Sequence, residues 1–363
     1  MKILLQVGTL CVLQCGMAIS ATPVKYIVTN LGAINDSQQS HGESVNINGQ
    51  VTGFSYTTAL GGPVHAVLYS GGMMNDLGSF GGDSFGSSVN ASGQVAGLSE
   101  TASGVFRAFL YSAGTMHDIG TLGGSFADAF AVNDAGNVTG YSMTAAGGTH
   151  AFIYGNGVMQ DLGTPSGTLA SFGRAINASG QVAGYLNFTP EVSHAFLYTN
   201  GSFLDLGTLG GSNSLAYGIG TNGQVTGYAD LPGGSTHAFL YDSAGMHDLG
   251  TLGGGVSAAF GVNISGQVIG DSEITPFNHL THAFLFSDGT MVDLNTMIDP
   301  NSGWLLTEGR GINDAGQITG EGIFAGKNRA FLLTPVPEPA SSVLAVLGIA
   351  GITILFGRRE WKL

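Results

Sequence analysis

One arrangement of apolar and polar positions recurs along most of the chain. Its clearest copy spans residues 237–270, where an apolar stretch, a tight turn, a Met-x-Asp-Leu-Gly stretch, a Gly-Gly loop, a stretch of small residues and Gly-Gln-Val follow one another. Versions of the apolar stretch His-Ala-Phe-Leu-Tyr begin at His65, Arg107, His150, His194, His237, His282 and Arg329. Measured on this stretch or on the Asn of the Asn-x-x-Gly turn, successive units lie 42 to 50 residues apart, and self-similarity of this length predicts a repeat protein, here with seven units.

Each unit is predicted to form four short antiparallel strands. In His-Ala-Phe-Leu-Tyr, alternate side chains point to opposite faces and both faces are largely apolar, which predicts a strand covered on both sides. Asn or Asp followed by Gly, as at Asn156-Gly157, favours a tight hairpin to the Met-x-Asp-Leu strand, because these residues tolerate positive φ. A second hairpin is predicted at Asn-x-x-Gly turns, such as Asn313 to Gly316, which join the small-residue strand to Gly-Gln-Val.

Four strands in about 43 residues are typical of a β-propeller blade, whose repeats span roughly 40–45 residues. The sequence therefore predicts an all-β fold, a seven-bladed β-propeller over residues 21–334. The first predicted strand, residues 26–32, has no His-Ala-Phe strand before it, and the last, residues 329–333, has no Asp-Leu-Gly strand after it. Pairing of these two strands is expected to complete the last blade and close the ring, which also protects strand edges.

The repeated motifs resemble those of a known bacterial family. His/Arg-Ala-Phe-Leu-Tyr, Asp-Leu-Gly-Thr-Leu-Gly-Gly and Asn-x-x-Gly-Gln-Val are similar to the units of the HAF-repeat extracellular proteins, named for the His-Ala-Phe triplet. The resemblance covers roughly residues 26–334. It implies export and a repeat fold, and it brings no agreed activity.

Composition narrows the classes of partner. Charged residues make up 9% of the chain and the formal net charge is −14, so nucleic acid and anionic membrane surfaces, which are bound through Lys and Arg, are not expected partners. Hydrophobic residues make up 43% and stand in strict register, which favours a packed β structure despite 61 glycines. Both cysteines, Cys11 and Cys15, lie in the first 20 residues, so no disulfide is expected in the repeat domain.

A secretory signal is predicted at residues 1–20. Lys2 is followed by an apolar run that ends in Ala18-Ile19-Ser20, the pattern of a signal helix and its cleavage site. Lipidation at Cys15 is an alternative, but a glutamine precedes this cysteine where a lipoprotein box has a small residue.

Residues 335–363 resemble the PEP-CTERM sorting signal, with a Val-Pro-Glu-Pro motif, an apolar-to-neutral stretch at 340–357 and an arginine pair. About 20 residues span a bilayer, so the stretch predicts a single transmembrane helix with the arginines on the cytoplasmic side. The resemblance implies processing by an exosortase-type membrane protease during export, and a plain membrane anchor is the alternative. The motif residues are Val336, Pro337, Glu338, Pro339, Arg358 and Arg359.

The recurring His and Asp positions raise the question of a metal site. Five histidines share the first position of the apolar strand, but Arg107 and Arg329 replace them in two units, and Arg has no free lone pair for a metal. The Asp of Asp-Leu-Gly supplies one carboxylate per unit, which does not build a calcium shell, and this Asp is predicted to fix a turn. The sequence therefore predicts neither a metal site nor a cofactor.

Non-repeated carboxylates are the candidates for catalysis, because a glycosidase needs two carboxyl groups about 5–10 Å apart. They are Glu100, Glu191, Glu273, Glu308 and Glu321. The sequence alone does not place any two of them together, so no catalytic residue is assigned. We expect a non-enzymatic protein, and the alternative is a hydrolase or lyase that acts on extracellular polysaccharide on the same propeller scaffold.

A ligand is expected on the face that carries the longer and more varied loops, because binding residues often lie on variable loops of a rigid scaffold. Aromatic side chains there suit stacking on sugar rings. The candidates are Tyr56, Tyr185, Phe188, Phe277 and Trp304. The predicted function is that of an exported cell-surface or extracellular-matrix protein that binds a glycan or another protein.

Overall fold

A computed structural model describes residues 26–37, 39–59, 62–276 and 280–337 of the 363-residue chain. The predicted signal at residues 1–20 and the predicted transmembrane stretch at 340–357 lie outside these residues. So do Phe277, Glu338, Pro339, Arg358 and Arg359. Within the described ranges, no helix is both long enough and apolar enough to cross a membrane.

The described residues form β-strands and two short 3₁₀ helices, Ile34–Asp36 and Leu294–Met297, which confirms the predicted all-β class. After β1 (Tyr26–Asn30), the strands follow one another in antiparallel sets of four, here called strand groups. The first three groups are β2 Ser40–Val45, β3 Val51–Tyr56, β4 Val64–Ser70 and β5 Met73–Asp76; β6 Gly81–Val89, β7 Val95–Thr101, β8 Phe106–Ser112 and β9 Thr115–Asp118; and β10 Gly123–Val132, β11 Val138–Thr144, β12 Thr149–Gly155 and β13 Val158–Gly163.

The fourth to sixth groups repeat this order of strands. They are β14 Ala170–Ile176, β15 Val182–Asn187, β16 Ser193–Thr199 and β17 Ser202–Asp205; β18 Ser214–Ile219, β19 Val225–Asp230, β20 Thr236–Asp242 and β21 Gly245–Asp248; and β22 Ser257–Val262, β23 Val268–Glu273, β24 Thr281–Ser287 and β25 Thr290–Asp293. A parallel contact between Thr149 and Ala170 joins the third and fourth groups into one sheet of eight strands.

The seventh group contains strands from both ends of the described chain. It holds β26 Trp304–Ile312, β27 Ile318–Phe324, β28 Lys327–Pro335 and β1. β1 pairs with β28 in antiparallel fashion, with Tyr26 opposite Pro335 and Asn30 opposite Phe331. The predicted pairing of the first and last strands is therefore observed, and β1 supplies the fourth strand of this group.

The third strand of each group is covered on both faces, as its apolar pattern predicts. In β12, Ala151 and Phe152 point to opposite sides, and both are fully buried. The equivalent Phe of five other groups is also fully buried: Phe109, Phe196, Phe239, Phe284 and Phe331. Apolar clusters between neighbouring groups form the core, since one such cluster contains Phe152 together with Ala96 and Ala108 of the second group.

In five of the seven described groups, a buried serine of the first strand ties the group to the one before it. Ser171, in the first strand of the fourth group, accepts a hydrogen bond from Ala151 N–H at 2.8 Å and donates to Gly163 O at 2.6 Å in the third group. The same type of contact joins the first group to the seventh, where Ala330 N–H donates to Ser40 Oγ at 3.1 Å. These bonds satisfy backbone groups that would otherwise be buried without partners.

The hairpins form where the turn residues predict them. Asn156 and Gly157 have φ of 52° and 80° between β12 and β13, and Gly266 has φ of +75° in the turn after β22. Glycine is also required inside the second strand, where the first strand bulges against it. A Cβ at Gly140 would lie 1.9 Å from Asp128 O, because the register shifts between Ala129 and Ala131.

Candidate functional site

The repeated His and Asp side chains meet as pairs between the third and fourth strands of their groups. His150 Nδ1 lies 2.9 Å from Asp161 Oδ1. Contacts of 2.7 to 2.9 Å join the equivalent pairs His65–Asp76, His194–Asp205, His237–Asp248 and His282–Asp293. In the second group Arg107 takes the place of His, with its Nε 3.8 Å from Asp118. The position therefore supplies a nitrogen partner for each Asp, within its own group.

The same carboxylates fix the turns that follow them. Asp161 Oδ1 accepts a hydrogen bond from Gly163 N–H at 2.7 Å. In β1 an amide oxygen takes this role, since Asn30 Oδ1 accepts from Gly32 N–H at 2.9 Å. These contacts agree with the turn role predicted for the Asp of Asp-Leu-Gly. Over the described ranges, no three His, Cys, Asp or Glu side chains are grouped in a way that suits a metal ion.

The turn asparagines link each strand group to the next. Asn90 Oδ1 accepts hydrogen bonds from Ser92 and Gln94 N–H at 3.1 and 3.0 Å, and its Nδ2 donates to Asn133 O at 3.0 Å in the following group. Nδ2 donates to the next group in the same way at Asn46, Asn133, Asn177, Asn263 and Asn313. Gly220 stands at this position in the fifth group and has no side chain to donate.

A cavity of about 300 Å³ lies where the first strands of the groups meet, and we call it the central cavity. The first strand of each group contributes one side chain to the cavity wall. This residue lies three positions before the turn Asn, or before Gly220 in the fifth group. The seven are Glu43, Ser87, Phe130, Arg174, Tyr217, Phe260 and Arg310. Phe54 and Phe85 complete the wall, and the same seven residues border a second space of about 210 Å³. The differences between otherwise similar repeats therefore converge on one cavity.

A cluster of acidic residues lies beside the central cavity, and one of them, Glu43, lines it. Glu308 and Glu321 lie directly opposite each other on β26 and β27. Arg310 Nε donates to Glu308 Oε2 at 2.9 Å, and its guanidinium carbon lies 4.2 Å from the centre of the Phe260 ring. His41 Nδ1 lies 2.5 Å from Glu321 Oε2. The two opposed glutamates interact electrostatically with Glu43 and Asp271, and we call these four residues the acidic side.

Burial and mutual repulsion shift the pKa values on the acidic side. Burial raises the pKa of Glu43, although Arg310 and His41 lower it. Burial, together with the nearby Glu308, raises the pKa of Asp271 to about 7. Burial opposes the charge of Arg310, but Glu43, Glu308 and Asp271 outweigh it and raise the Arg310 pKa. Near neutral pH the acidic side thus contains both hydrogen-bond donors and acceptors among its carboxyl groups.

Aromatic rings surround the second guanidinium of the cavity, and we call this part the aromatic side. The Arg174 guanidinium carbon lies 3.9 Å from the centre of the Phe130 ring, 5.2 Å from that of Tyr217 and 5.6 Å from that of Tyr185. Arg174 Nε is buried and has no hydrogen-bond partner among the described residues. Nearby, burial raises the pKa of Asp128 to about 7, although Arg174 lowers it.

The phenol groups near the aromatic side remain protonated over the physiological range. Burial raises the pKa of Tyr141 to about 12, and burial also raises the pKa values of Tyr185 and Tyr228. Each hydroxyl can therefore donate a hydrogen bond as well as accept one.

The structure brings together two of the five carboxylates predicted as catalytic candidates. Glu308 and Glu321 are the opposed pair on the acidic side. Glu100 and Glu273 instead accept hydrogen bonds from backbone N–H groups of their own strand groups, at 3.5 and 3.0 Å. Glu191 lies in the loop between β15 and β16.

Four of the five aromatic residues predicted for the ligand face are described, and no ring contact joins any two of these four. Tyr185 stacks on Phe172 with 4.6 Å between ring centres, next to the central cavity. Trp304 stacks on a phenylalanine of the next strand at 5.0 Å. Tyr56 is the last residue of β3, and Phe188 follows the last residue of β15. Tyr185 is thus the candidate that lies beside the cavity.

Sequence reasoning missed the cavity residues because it concentrated on what the repeats share. The signal was present in the variable position of the small-residue strand, where Glu, Ser, Phe, Arg, Tyr, Phe and Arg occur in successive units. Neighbouring positions in that strand are mostly Gly, Ala or Ser. Large and charged side chains among small residues mark positions where the strand faces open space instead of a packed sheet.

No protein-family model matches the chain, and no curated protein sequence matches it. Several solved structures are similar to it at low sequence identity. A structure from an analysis of two prolyl endopeptidases matches with a TM-score of 0.53 and 11% identity, over 87% of this chain and 51% of that chain. TolB from Acinetobacter baumannii matches with a TM-score of 0.43 and 11% identity, over 82% of this chain and 64% of that chain.

A sialidase from Trypanosoma rangeli, in complex with the inhibitor DANA, matches with a TM-score of 0.42 and 11% identity, over 89% of this chain and 61% of that chain. The chain therefore spans between half and two thirds of each of these three proteins. At such identities the likeness concerns the fold alone. That fold is a β-propeller scaffold built from repeated antiparallel sheets.

Proposed function

We propose that this protein is a non-enzymatic binding protein of the bacterial surface or extracellular matrix, with a glycan as its ligand in the central cavity. The observation that carries the proposal is the convergence of the variable repeat positions on that cavity. Shared residues such as Asn90 and Ser171 hold neighbouring strand groups together. A scaffold needs those shared residues, but it does not need five kinds of side chain at seven equivalent positions around one space.

The chemistry of the cavity wall suits a sugar. Phe85 and Tyr217 line the cavity and offer aromatic rings on which the C–H bonds of a pyranose can stack. The acidic side and the tyrosine hydroxyls offer donors and acceptors for ring hydroxyl groups. Binding sites for small molecules combine apolar walls with a few polar groups in this way.

A glycan array probed with the purified full chain tests the proposal, with two aromatic variants compared on the array. Tyr217→Ala alters the cavity and Trp304→Ala alters the ligand face expected from the sequence. We expect Tyr217→Ala to lose binding and Trp304→Ala to retain it, with the melting temperature of both measured as a control. Loss of binding in Trp304→Ala alone would move the site to the loop face, and the absence of any glycan signal would refute a glycan ligand.

The acidic side favours one alternative, a hydrolase or lyase that acts on extracellular polysaccharide. Glu308 and Glu321 are opposed across one strand pair, and the pKa of Asp271 is raised to about 7 beside them. Such a group of carboxyls is what acid–base cleavage of a glycosidic bond requires. An assay for new reducing ends, with the wild type and Glu308→Gln, separates the two functions. Release that Glu308→Gln abolishes would establish the enzyme, and no release from bound polysaccharide would support the binding protein.

We infer that the strand groups are the seven blades of a closed ring. Support comes from the seventh and first groups, where Asn313 Nδ2 donates to Asn46 O at 2.8 Å and β26 and β27 pack against β2. The pairing of β1 with β28 supports it as well. Small-angle X-ray scattering tests the inference, because a compact domain of roughly 300 residues has a radius of gyration of about 20 Å. An open, elongated array would give a clearly larger value.

We further propose that the chain is an HAF-repeat protein, exported by its signal and sorted through the PEP-CTERM segment. Val336 and Pro337 follow the last strand directly, so the motif begins where the repeat domain ends. An exosortase-type protease is the proposed partner, and the apolar stretch is the proposed membrane anchor before processing. Mass spectrometry of the exported protein tests this, because processing removes Trp361 and a lasting anchor retains it.

A further inference from the structure

We propose that Arg174 binds the carboxylate of an acidic sugar, a hexuronate, in the central cavity. This inference rests on the proposed function, because it assigns the class of ligand to the same cavity. Its basis is a guanidinium group that lines the cavity, is held by aromatic rings and has an unused donor.

Arg174 differs from the other basic side chains that the structure describes. Arg107 lies 3.8 Å from a carboxylate oxygen, Arg310 makes a charged hydrogen bond of 2.9 Å, and Lys327 and Arg329 approach one Asp at 3.8 and 3.3 Å. In the described part of the chain, Arg174 is the Lys or Arg residue that no salt bridge neutralises. In a chain with a net charge of −14, a guanidinium without a paired carboxylate is unusual.

Arg174 Nε is a buried donor from which no described residue accepts a hydrogen bond. A buried donor without a hydrogen bond loses its hydration and gains nothing in return. A carboxylate can accept two parallel hydrogen bonds from one guanidinium, which is the strongest common pairing for this group. Phe130, at 3.9 Å, lies against the guanidinium and fixes its position, so little freedom is lost when an anion binds.

The surroundings of Arg174 favour a carboxylate, with one negative charge, over a phosphate dianion. The groups that face it are Asp128 on β10, Tyr185 on β15 and Tyr217 on β18. A phosphate dianion would bring a second charge toward Asp128 and into a cavity that already holds Glu43. Of the two guanidinium groups in the cavity, Arg310 is already paired with Glu308, so a single carboxylate matches the one that remains.

The remainder of the cavity selects a hydroxylated ring next to that carboxylate. Phe85 and Tyr217 line the cavity and offer aromatic rings to its C–H bonds, and Glu43 can accept hydrogen bonds from its hydroxyl groups. The volume of about 300 Å³ is at the lower end for ligand pockets, so we expect one sugar residue to fill it. A hexuronate, free or at the end of a polysaccharide, has both features.

Isothermal titration calorimetry of the purified full chain with D-glucuronate, its methyl ester and D-glucose tests the inference. The ester keeps the ring and removes the charge. The variants are Arg174→Gln and, as a matched control, Arg107→Gln, which removes the same charge at a position paired with Asp118. We expect glucuronate to bind the wild type at least tenfold more tightly than the ester or glucose. Arg174→Gln should remove this preference, and Arg107→Gln should retain it within twofold.

The possible results separate the role of Arg174 from the proposed glycan-binding function. Equal affinity of the wild type for glucuronate and its ester would overturn the role of Arg174 and leave the glycan proposal standing. Wild-type levels of glucuronate binding in Arg174→Gln would also overturn it. A third result is that none of the three probes binds, while the glycan array gives binding that Tyr217→Ala removes. In that case the assignment of a hexuronate is wrong and the proposed function holds. If the array gives no signal either, both fail. The ester comparison needs no variant, so it remains valid if Arg174→Gln does not fold.

Discussion

Gly220 interrupts the series of turn asparagines, and its replacement by Asn should stabilise the protein. The backbone at Gly220 does not have positive φ, so a residue with a side chain can occupy it. A Cβ there would lie 2.9 Å from Asn222 Oδ1. That exposed side chain would rotate away, and the hydrogen bond that it accepts from Gln224 N–H at 3.2 Å would pass to the new side-chain oxygen. The new side chain would be placed like that of Asn177, whose Nδ2 donates to Gly220 O at 3.2 Å in the next group.

The expected gain follows from the contacts of the other turn asparagines. Nδ2 would donate to Asn263 O and Oδ1 would accept from Asn222 N–H, and each hydrogen bond contributes about 0.5–1.5 kcal/mol net. Removing a glycine from the unfolded chain adds about 0.4–1 kcal/mol. Ordering the new side chain opposes these terms by about 1 kcal/mol. We therefore expect the free energy of unfolding to rise by about 1–2 kcal/mol.

Thermal unfolding followed by circular dichroism measures this gain. An unfolding entropy of about 2.1 cal/mol/K per residue means that, over roughly 300 residues, 1 kcal/mol shifts the melting temperature by about 1.5 °C. Gly220→Asn should therefore melt about 2–3 °C above the wild type. The reverse change, Asn177→Gly, is the control and should lower the melting temperature. A melting temperature that is unchanged or lower in Gly220→Asn, with a decrease in Asn177→Gly, would refute the reasoning.

Three further changes test other parts of the structure. Gly266→Val should lower the free energy of unfolding by about 1–3 kcal/mol, because a β-branched residue resists a φ of +75°, and an unchanged urea midpoint would contradict this. Asp161→Ala should destabilise more than His150→Ala, since it removes both the ion pair and the Gly163 contact, but by only about 1 kcal/mol for half-exposed groups. The pKa of Asp128 is raised to about 7 from an unfolded value near 3.9, so its stabilising effect is full at low pH and is lost as pH rises through 7. Asp128→Asn should therefore show a smaller fall in melting temperature between pH 5 and pH 8 than the wild type, and parallel pH profiles would count against the assignment.

Much of the fold is predictable from the sequence because each unit carries its own turn and strand signals. Asn156-Gly157 predicts a hairpin through local backbone preference alone, and the structure confirms it. The partner of β1 was predictable for a different reason, since the phase of the repeat leaves one strand too many at the start and one too few at the end. Local chemistry and counting were enough for both predictions.

The central cavity was not predictable in the same way. Glu308 and Glu321 are 13 residues apart in the chain, and only the register of β26 against β27 places them opposite each other. A β-bulge shifts that register near Glu308, and the length of a bulged strand cannot be derived from alternation of apolar residues. Arg174 meets Tyr217 across two strand groups, so that contact depends on how the groups pack together.

The position of β1 has a consequence for how the molecule is made. This strand leaves the ribosome before its partner β28, and almost the whole repeat domain separates the two strands. Contacts that join such distant segments form late, because the entropy of closing the intervening loop must first be overcome. Until then the backbone edges of Tyr26–Asn30 remain free to pair with another nascent chain. Translation that stops before Lys327–Pro335 is therefore expected to yield chains that associate with one another through this unpaired edge.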